Sequence, residues 1–63
     1  MERKDKNKNR ILEFLKRGEK NASEISIYVG LNYYKTLELL KELIEEQKIE
    51  LLNFREKKYY KLK

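Results

Sequence analysis

The chain has 63 residues, which is enough for one domain with a modest core. It contains no cysteine and no histidine, so disulfide bonds and the usual zinc sites are excluded as sources of stability. The net charge of +5 is uneven: residues 1–10 carry five basic and two acidic side chains, residues 51–63 carry five and one, and residues 30–50 have an acidic excess. Basic ends suit a polyanion such as DNA or RNA, although a solvated surface rich in Lys and Glu has the same composition.

Several function classes lack their chemical groups in this sequence. Without His or Cys there is no ready base, nucleophile or transition-metal ligand, and no Gly-rich phosphate loop exists. Glu45 and Glu46 are adjacent and would point to different sides of a helix, so they do not form a carboxylate pair. We therefore predict no enzyme activity, metal or cofactor. No apolar run is long enough for a signal peptide or membrane span, so we expect a cytoplasmic protein, in the host cytoplasm if the source is viral.

The first predicted helix spans about residues 5–17, and the polar start at residues 1–6 is expected to fray. Gly18 then ends the helix as a C-cap glycine does. The apolar side chains of this helix recur at helical spacing and form one stripe: Ile11, Leu12 and Leu15, with Phe14 beside it.

Two more helices are predicted, over residues 22–29 and 33–47. Asn21 and Glu24 form a capping-box pattern at the start of the first, Gly30 supplies a turn with positive φ, and Asn32 caps the second. The expected inward faces are Ala22, Ile25 and Val29 in one helix, and Thr36, Leu39, Leu40 and Leu43 in the other.

The C-terminal segment is predicted to be a β-hairpin, with strands at residues 49–53 and 58–62 and a loop at 54–57. The preferred register pairs Asn53 with Lys58, because that choice gathers the apolar side chains on one face. The side chains expected to point inward are Ile49, Leu51, Tyr60 and Leu62.

The order helix, helix, turn, helix, hairpin resembles a winged helix-turn-helix over about residues 7–63: mainly α, with three helices and a two-stranded wing. The stretch SEISIYVGLNYYKTLELLKELIEEQKI is similar to MarR- and ArsR-like transcription regulators, with Glu24-Ile25-Ser26 as the start and Gly30-Leu31-Asn32 as the turn. Small proteins of this type are common in archaea and their viruses, which fits a Lys-, Glu-, Ile- and Tyr-rich, hyperthermophile-like composition. The resemblance implies sequence-specific binding of double-stranded DNA by a small transcriptional regulator.

Three features depart from that family pattern. The small residue after the aliphatic of the second helix is the polar Ser26. Gln47-Lys48 stands where the family has a glycine before the first wing strand. The third helix is acidic, which favours the alternative of a winged-helix module that binds a protein partner and not DNA; its carboxylates are Glu38, Glu42, Glu45 and Glu46.

The resemblance and the exposed positions give a candidate DNA surface. The first turns of the third helix would face base edges in the major groove, and the basic wing tip would face phosphates. The candidate residues are Asn32, Tyr33, Tyr34, Lys35, Glu38 and Lys41 in the helix, and Arg55, Lys57 and Lys58 in the wing. The alternatives are that Tyr33 packs inside the domain and that the wing tip is charged because it is solvated.

Two further surfaces are left open by the sequence. The N-terminal basic run could contact flanking phosphates; it comprises Arg3, Lys4, Lys6, Lys8 and Arg10. An apolar surplus could form a homodimer interface or be covered by the first helix; it comprises Tyr33, Leu37, Ile44, Leu52 and Tyr59.

Overall fold

The computed structural model describes residues 3–63, with side chains from Asp5 onward. It has three helices followed by a two-stranded antiparallel sheet: α1 (Arg3–Leu15), α2 (Ala22–Val29), α3 (Tyr33–Glu45), β1 (Ile49–Phe54) and β2 (Lys57–Leu62). The predicted fold class is therefore confirmed. None of the helices within residues 3–63 is both long and apolar enough to cross a membrane. The expected fraying of residues 1–2 lies outside the described residues, and residues 3–6 are helical.

One apolar stripe from each helix meets the base of the hairpin to form the core. Burial of each large aliphatic side chain contributes roughly 1.5–3 kcal/mol to folding. Thr36 is also fully buried, and its hydroxyl donates to the carbonyl of Asn32 at 3.0 Å, so burial leaves no polar group unsatisfied there. The buried apolar residues are Ile11, Leu15, Ala22, Ile25, Val29, Leu39, Leu40, Leu43, Ile49 and Tyr60.

The α2-turn-α3 unit is held by side-chain caps that the sequence predicted. The Asn21 carboxamide accepts from the Glu24 N–H at 2.8 Å, and the Glu24 carboxylate accepts from the Asn21 N–H at 3.2 Å. Gly30 adopts φ 75° and donates to the carbonyl of Ser26 at 2.9 Å, which closes α2. Asn32 caps α3 by accepting from the Lys35 N–H at 2.8 Å.

Helix α1 is displaced from the predicted 5–17 to Arg3–Leu15. Its last turn tightens, because the N–H groups of Arg17 and Gly18 donate to carbonyls three residues back at 3.1 Å each. At the other end the helix continues to Arg3, since no helix breaker stands before Asp5. The apolar pattern marks the part of a helix that is buried, and α1 extends beyond that part.

Helix α3 also ends two residues before the predicted 47, because Gln47 turns into the left-handed region at φ 60°. The Lys48 N–H donates to the carbonyl of Leu43 at 3.0 Å, and the Gln47 N–H donates to that of Ile44 at 2.9 Å. This hydrogen-bond pair is a Schellman motif, in which the left-handed position usually holds glycine. A glutamine therefore takes the conformation that the family's missing glycine would take.

The hairpin has the predicted register, with Asn53 opposite Lys58. Each strand is one residue longer than predicted, so the connection is the two-residue turn Arg55-Glu56, with φ values of 49° and 67°. Positive φ at both positions is the geometry of a type I′ turn, whose twist matches that of paired strands. The sequence lacks the Asn-Gly pair that usually indicates a turn of this type.

The hairpin is fastened to the helices by a bridge that the sequence did not predict. Backbone N–H and carbonyl groups of Lys20 and Tyr60 exchange hydrogen bonds of 3.0 and 2.7 Å. Strand β2 is therefore central, and β1 lies at the outer edge. The prediction that Leu51 points into the core was wrong: it shares a face with Tyr60 but is exposed, because the edge strand extends away from the helices.

The left-handed Gln47 yields a stability prediction. Replacing Gln47 with glycine removes the steric cost of its positive φ, so Gln47→Gly should stabilise the fold by about 1 kcal/mol in urea unfolding. Gln47→Ala is the matched control, because it removes the same side chain but keeps a Cβ atom. Equal stability of the Gly and Ala variants would contradict a steric cost at this position.

Candidate nucleic-acid interface

The first turn of α3 is presented to solvent. Tyr34 is 78% exposed and Tyr33 is 46% exposed, and their rings meet edge to face with centroids 5.8 Å apart. The sequence left open whether Tyr33 packs inside the domain or faces DNA, and its partial exposure lies between these two alternatives. The Asn32 oxygen is used by the helix cap, which leaves its amide N–H groups for other contacts. Lys35, Glu38 and Lys41 are exposed along the same helix.

A pocket of about 320 Å³ joins α3 to the wing and to the start of α2. Tyr33 and Tyr60 both line it; burial raises the pKa of Tyr60, and the nearby Tyr33 raises it further. Sequence reasoning grouped Lys58 with the wing tip and missed Ser23, because no pattern in a single strand or helix tells which elements will meet. The lining residues are Asn21, Ala22, Ser23, Tyr33, Leu37, Lys58 and Tyr60.

The basic wing residues divide between two faces of the hairpin. Lys58 lines the pocket beside α3, whereas Lys57 lies on the opposite face, directly across from Phe54. Arg55 lies in the turn, with its guanidinium carbon 5.3 Å from the centre of the Phe54 ring. All three cations are exposed, so the structure brings them together at one end of the molecule without placing them on a single face.

Part of the negative charge of α3 is paired inside the domain. The ammonium of Lys8, on α1, lies 2.8 Å from the carboxylate of Glu46 and 3.1 Å from that of Glu42. Hydrogen bonds to these two carboxylates raise the pKa of Lys8, and the bond to Lys8 lowers the pKa of Glu46. The sequence left open whether Lys8 contacts flanking phosphates; its side chain is only 10% exposed and lies against α3.

Arg10 also serves the fold. Its guanidinium donates to the carbonyls of Tyr28 at 3.2 Å and Val29 at 3.5 Å, where it neutralises the negative C-terminal end of α2. A phosphate contact at Arg10, which the sequence left open, would compete with these bonds. Lys6 is exposed, and the side chains of Arg3 and Lys4 lie outside the described residues.

These pairings change the charge that α3 shows to a partner. Of the four acidic residues in and directly after α3, Glu42 and Glu46 pair with Lys8 of α1 while remaining partly accessible, whereas Glu38 and Glu45 are exposed without such a pair in the contacts described for residues 5–63. The exposed first half of α3 carries Lys35 and Lys41 beside Glu38. Among residues 5–63 no cluster of three acidic side chains is arranged to hold a metal ion.

No protein-family model matches the chain, and no curated protein matches it. It is similar to a solved structure from Mycobacterium bovis, the homodimeric winged helix-turn-helix DNA-binding domain (fragment 1–100) of a possible ArsR-family transcriptional regulator. The two chains are 23% identical in sequence, and their structures superpose with a TM-score of 0.83. The match covers 89% of this chain but only about half (52%) of the Mycobacterium bovis chain. The likeness shows a winged helix-turn-helix fold. It gives no support to the expected archaeal or archaeal-virus type.

The ion pairs of Lys8 with Glu42 and Glu46 predict how the stability of the fold should change with pH. The pKa of the Glu46 carboxylate is lowered. The stabilisation that this carboxylate contributes is therefore complete above its ordinary pKa of 4.5 and is lost as the pH falls through the lowered pKa. The pKa of Lys8 is raised, so the stabilisation that its ammonium contributes is complete at any pH below the ordinary pKa of 10.5. Wild type should therefore exceed Lys8→Met in stability by a constant margin between these values, and the margin should shrink in acid.

Urea unfolding of both proteins from neutral to strongly acidic pH measures this margin. The control is Lys16→Met, which removes an exposed pair with Glu13 at 3.0 Å and should cost almost nothing. A margin that stays constant in acid would show that the ion pairs do not stabilise the fold.

Proposed function

We propose that this chain is a single-domain, sequence-specific double-stranded DNA-binding protein that acts as a small transcriptional regulator in the cytoplasm. The observation that supports this most is the shared pocket between the exposed start of α3 and Lys58 of the wing. Because both elements border one recess, a single duplex can contact both. Helix α3 would enter the major groove, and the wing would lie along the adjacent backbone.

The exposed residues of α3 have chemistry suited to base edges. Tyr34 offers a ring to thymine methyl groups and a hydroxyl to phosphate, and Lys35 and Lys41 can donate to phosphate or to guanine. Glu38 can accept from the amino group of cytosine, which would make it a residue of specificity and not of affinity. Asn32 and Tyr33 would contribute at the edge of this contact.

Affinity would come mainly from the wing. Arg55, Lys57 and Lys58 carry exposed positive charge, and each phosphate that they neutralise releases counterions. Pairing of Glu42 and Glu46 with Lys8 supports this proposal, because those carboxylates then repel a phosphate backbone less.

We also propose that the protein acts as a homodimer. The structurally similar domain from Mycobacterium bovis is homodimeric, and two copies of α3 could read half-sites about 34 Å apart along a duplex. In this chain Leu37 and Ile44 already pack against the core, so they have less surface left for a partner. Leu52 and Tyr59, paired across the outer face of the hairpin and half-buried, are the remaining candidates.

A second function is favoured by the exposed Glu38 and Glu45. Negative charge on the outer face of α3 suits a basic protein surface better than a phosphate backbone, so the alternative is a winged-helix module that binds a protein. Titration with duplex DNA, followed by heteronuclear NMR, separates the two. Shifts confined to residues 32–41 and 54–58 support DNA binding, whereas shifts that require a protein partner support the module.

Removal of the wing charges tests the electrostatic mechanism. The triple substitution of Arg55, Lys57 and Lys58 by alanine should weaken binding strongly and, at low salt where binding is still measurable, reduce the slope of log K against log salt by up to about 2.7, or 0.9 per lost phosphate contact. The duplexes should first be selected from random sequences, which also reveals whether the site has two-fold symmetry. Unchanged binding by the triple variant would exclude the wing from the interface.

Single substitutions test the position of the wing. Lys58 lies beside α3 and Lys57 lies on the opposite face, so Lys58→Ala should weaken binding about tenfold and Lys57→Ala distinctly less. The two variants remove the same charge from adjacent positions and are matched controls for each other. Equal effects in fluorescence anisotropy would mean that the pocket side of the wing has no special role.

A further inference from the structure

The tip of the wing carries an aromatic ring that the core does not use. Phe54 is 62% exposed at the last position of β1, immediately before the Arg55-Glu56 turn. The other phenylalanine, Phe14, is half-buried and stacks on Tyr28 with ring centroids 4.2 Å apart. Within residues 5–63 Phe54 forms no such ring pair, and the guanidinium carbon of Arg55 lies 5.3 Å from its centre.

We propose that Phe54 is an apolar wedge that enters the minor groove of bound DNA and partly unstacks a base step. This inference rests on the proposed DNA binding and goes beyond it, because Phe54 is not among the residues assigned to that interface above. The wedge would act by apolar contact, and the Arg55 guanidinium beside the ring would hold a neighbouring phosphate.

The surroundings of the ring favour DNA over other occupants. Arg55 covers one side of Phe54, and Lys57 is its direct cross-strand partner, so the apolar ring sits between two cations. Two such tips would repel each other, so a dimer contact through Leu52 and Tyr59 would leave the two Phe54 rings apart and open to another partner. A membrane surface would need a wider exposed apolar face: Leu52 and Tyr59 share the face of Phe54 but are half-buried, and the exposed Leu51 lies on the other side of the hairpin.

The dimensions and chemistry of the minor groove suit this tip. The groove is about 6 Å wide, too narrow for a helix but open to a tight two-residue turn, and its negative potential attracts arginine. Proteins that bind there often insert a phenylalanine or another apolar side chain between base pairs. With α3 in the major groove, the wing is the element free to reach the adjacent minor groove.

The first experiment uses tryptophan fluorescence at position 54 as a reporter of the surroundings of the ring. The chain contains no tryptophan, so the Phe54→Trp variant has a single indole, placed at the tip. Titration with a selected duplex should shift its emission to the blue and quench it, because the ring leaves water and stacks on bases. The same duplex with 2-aminopurine at successive positions should brighten at one step with wild-type protein and stay dim with Phe54→Ala.

The second experiment separates the ring from the charges. Phe54→Ala should weaken binding about tenfold in anisotropy while leaving the salt slope unchanged, because no charge is lost. Phe54→Leu should recover part of the affinity. Arg55→Ala should instead reduce the salt slope by about 0.9. Thermal unfolding of Phe54→Ala should match wild type, since the ring is exposed.

The outcomes distinguish this inference from the function on which it rests. Absence of duplex binding by wild type would overturn both. Binding by wild type with equal affinity for Phe54→Ala and no change in Phe54→Trp emission would leave DNA binding standing and overturn the wedge. An emission shift with anionic phosphatidylglycerol vesicles but not with duplex would overturn it in favour of a lipid surface.

Discussion

The geometry of the whole surface depends on the two backbone hydrogen bonds between Lys20 and Tyr60. They join β2 to the segment between α1 and α2, so they set where the base of the hairpin attaches to the helices. The Tyr60 ring fills the core at the same point and lines the pocket beside Tyr33. One residue thus fixes the position of the wing relative to α3, and with it the distance between the two parts of the candidate interface.

The basic residues of the chain perform two different tasks. Lys8 and Arg10 face inward, where one pairs with carboxylates of α3 and the other caps the end of α2. Arg55, Lys57 and Lys58 have no comparable bonds among the contacts described for residues 5–63 and remain exposed. Net charge therefore overstates what the N-terminal half offers to a polyanion, and the wing is the stronger cationic surface.

Local chemistry made much of the fold predictable from the sequence. The caps at Asn21, Gly30 and Asn32 act within four residues, and the hairpin register follows from alternating side chains, so both could be predicted. Such local patterns could not predict the contact of Lys8 with Glu46 or the bridge between Lys20 and Tyr60, because these pairs lie 38 and 40 positions apart in the sequence.

The candidate site was predictable to a similar extent. Exposure of Tyr34 and Lys35 follows from the helical period of α3, and the basic wing tip follows from composition. Whether a cation at the tip faces α3 or turns away depends on strand alternation combined with docking of the hairpin, and only the second of these lies beyond the sequence. Phe54 was overlooked because an aromatic residue in a predicted loop gives no sign of whether it is covered.

Strand β1 is bracketed by left-handed residues that are not glycine: Gln47 before it, and Arg55 and Glu56 after it. Each such residue costs on the order of 1 kcal/mol, so strain is concentrated at the two ends of one edge strand. The amides of β1 should consequently exchange with solvent at a lower free energy of opening than those of the three helices. A hairpin that loosens before the helical core does can adjust to local groove width while α3 keeps its place.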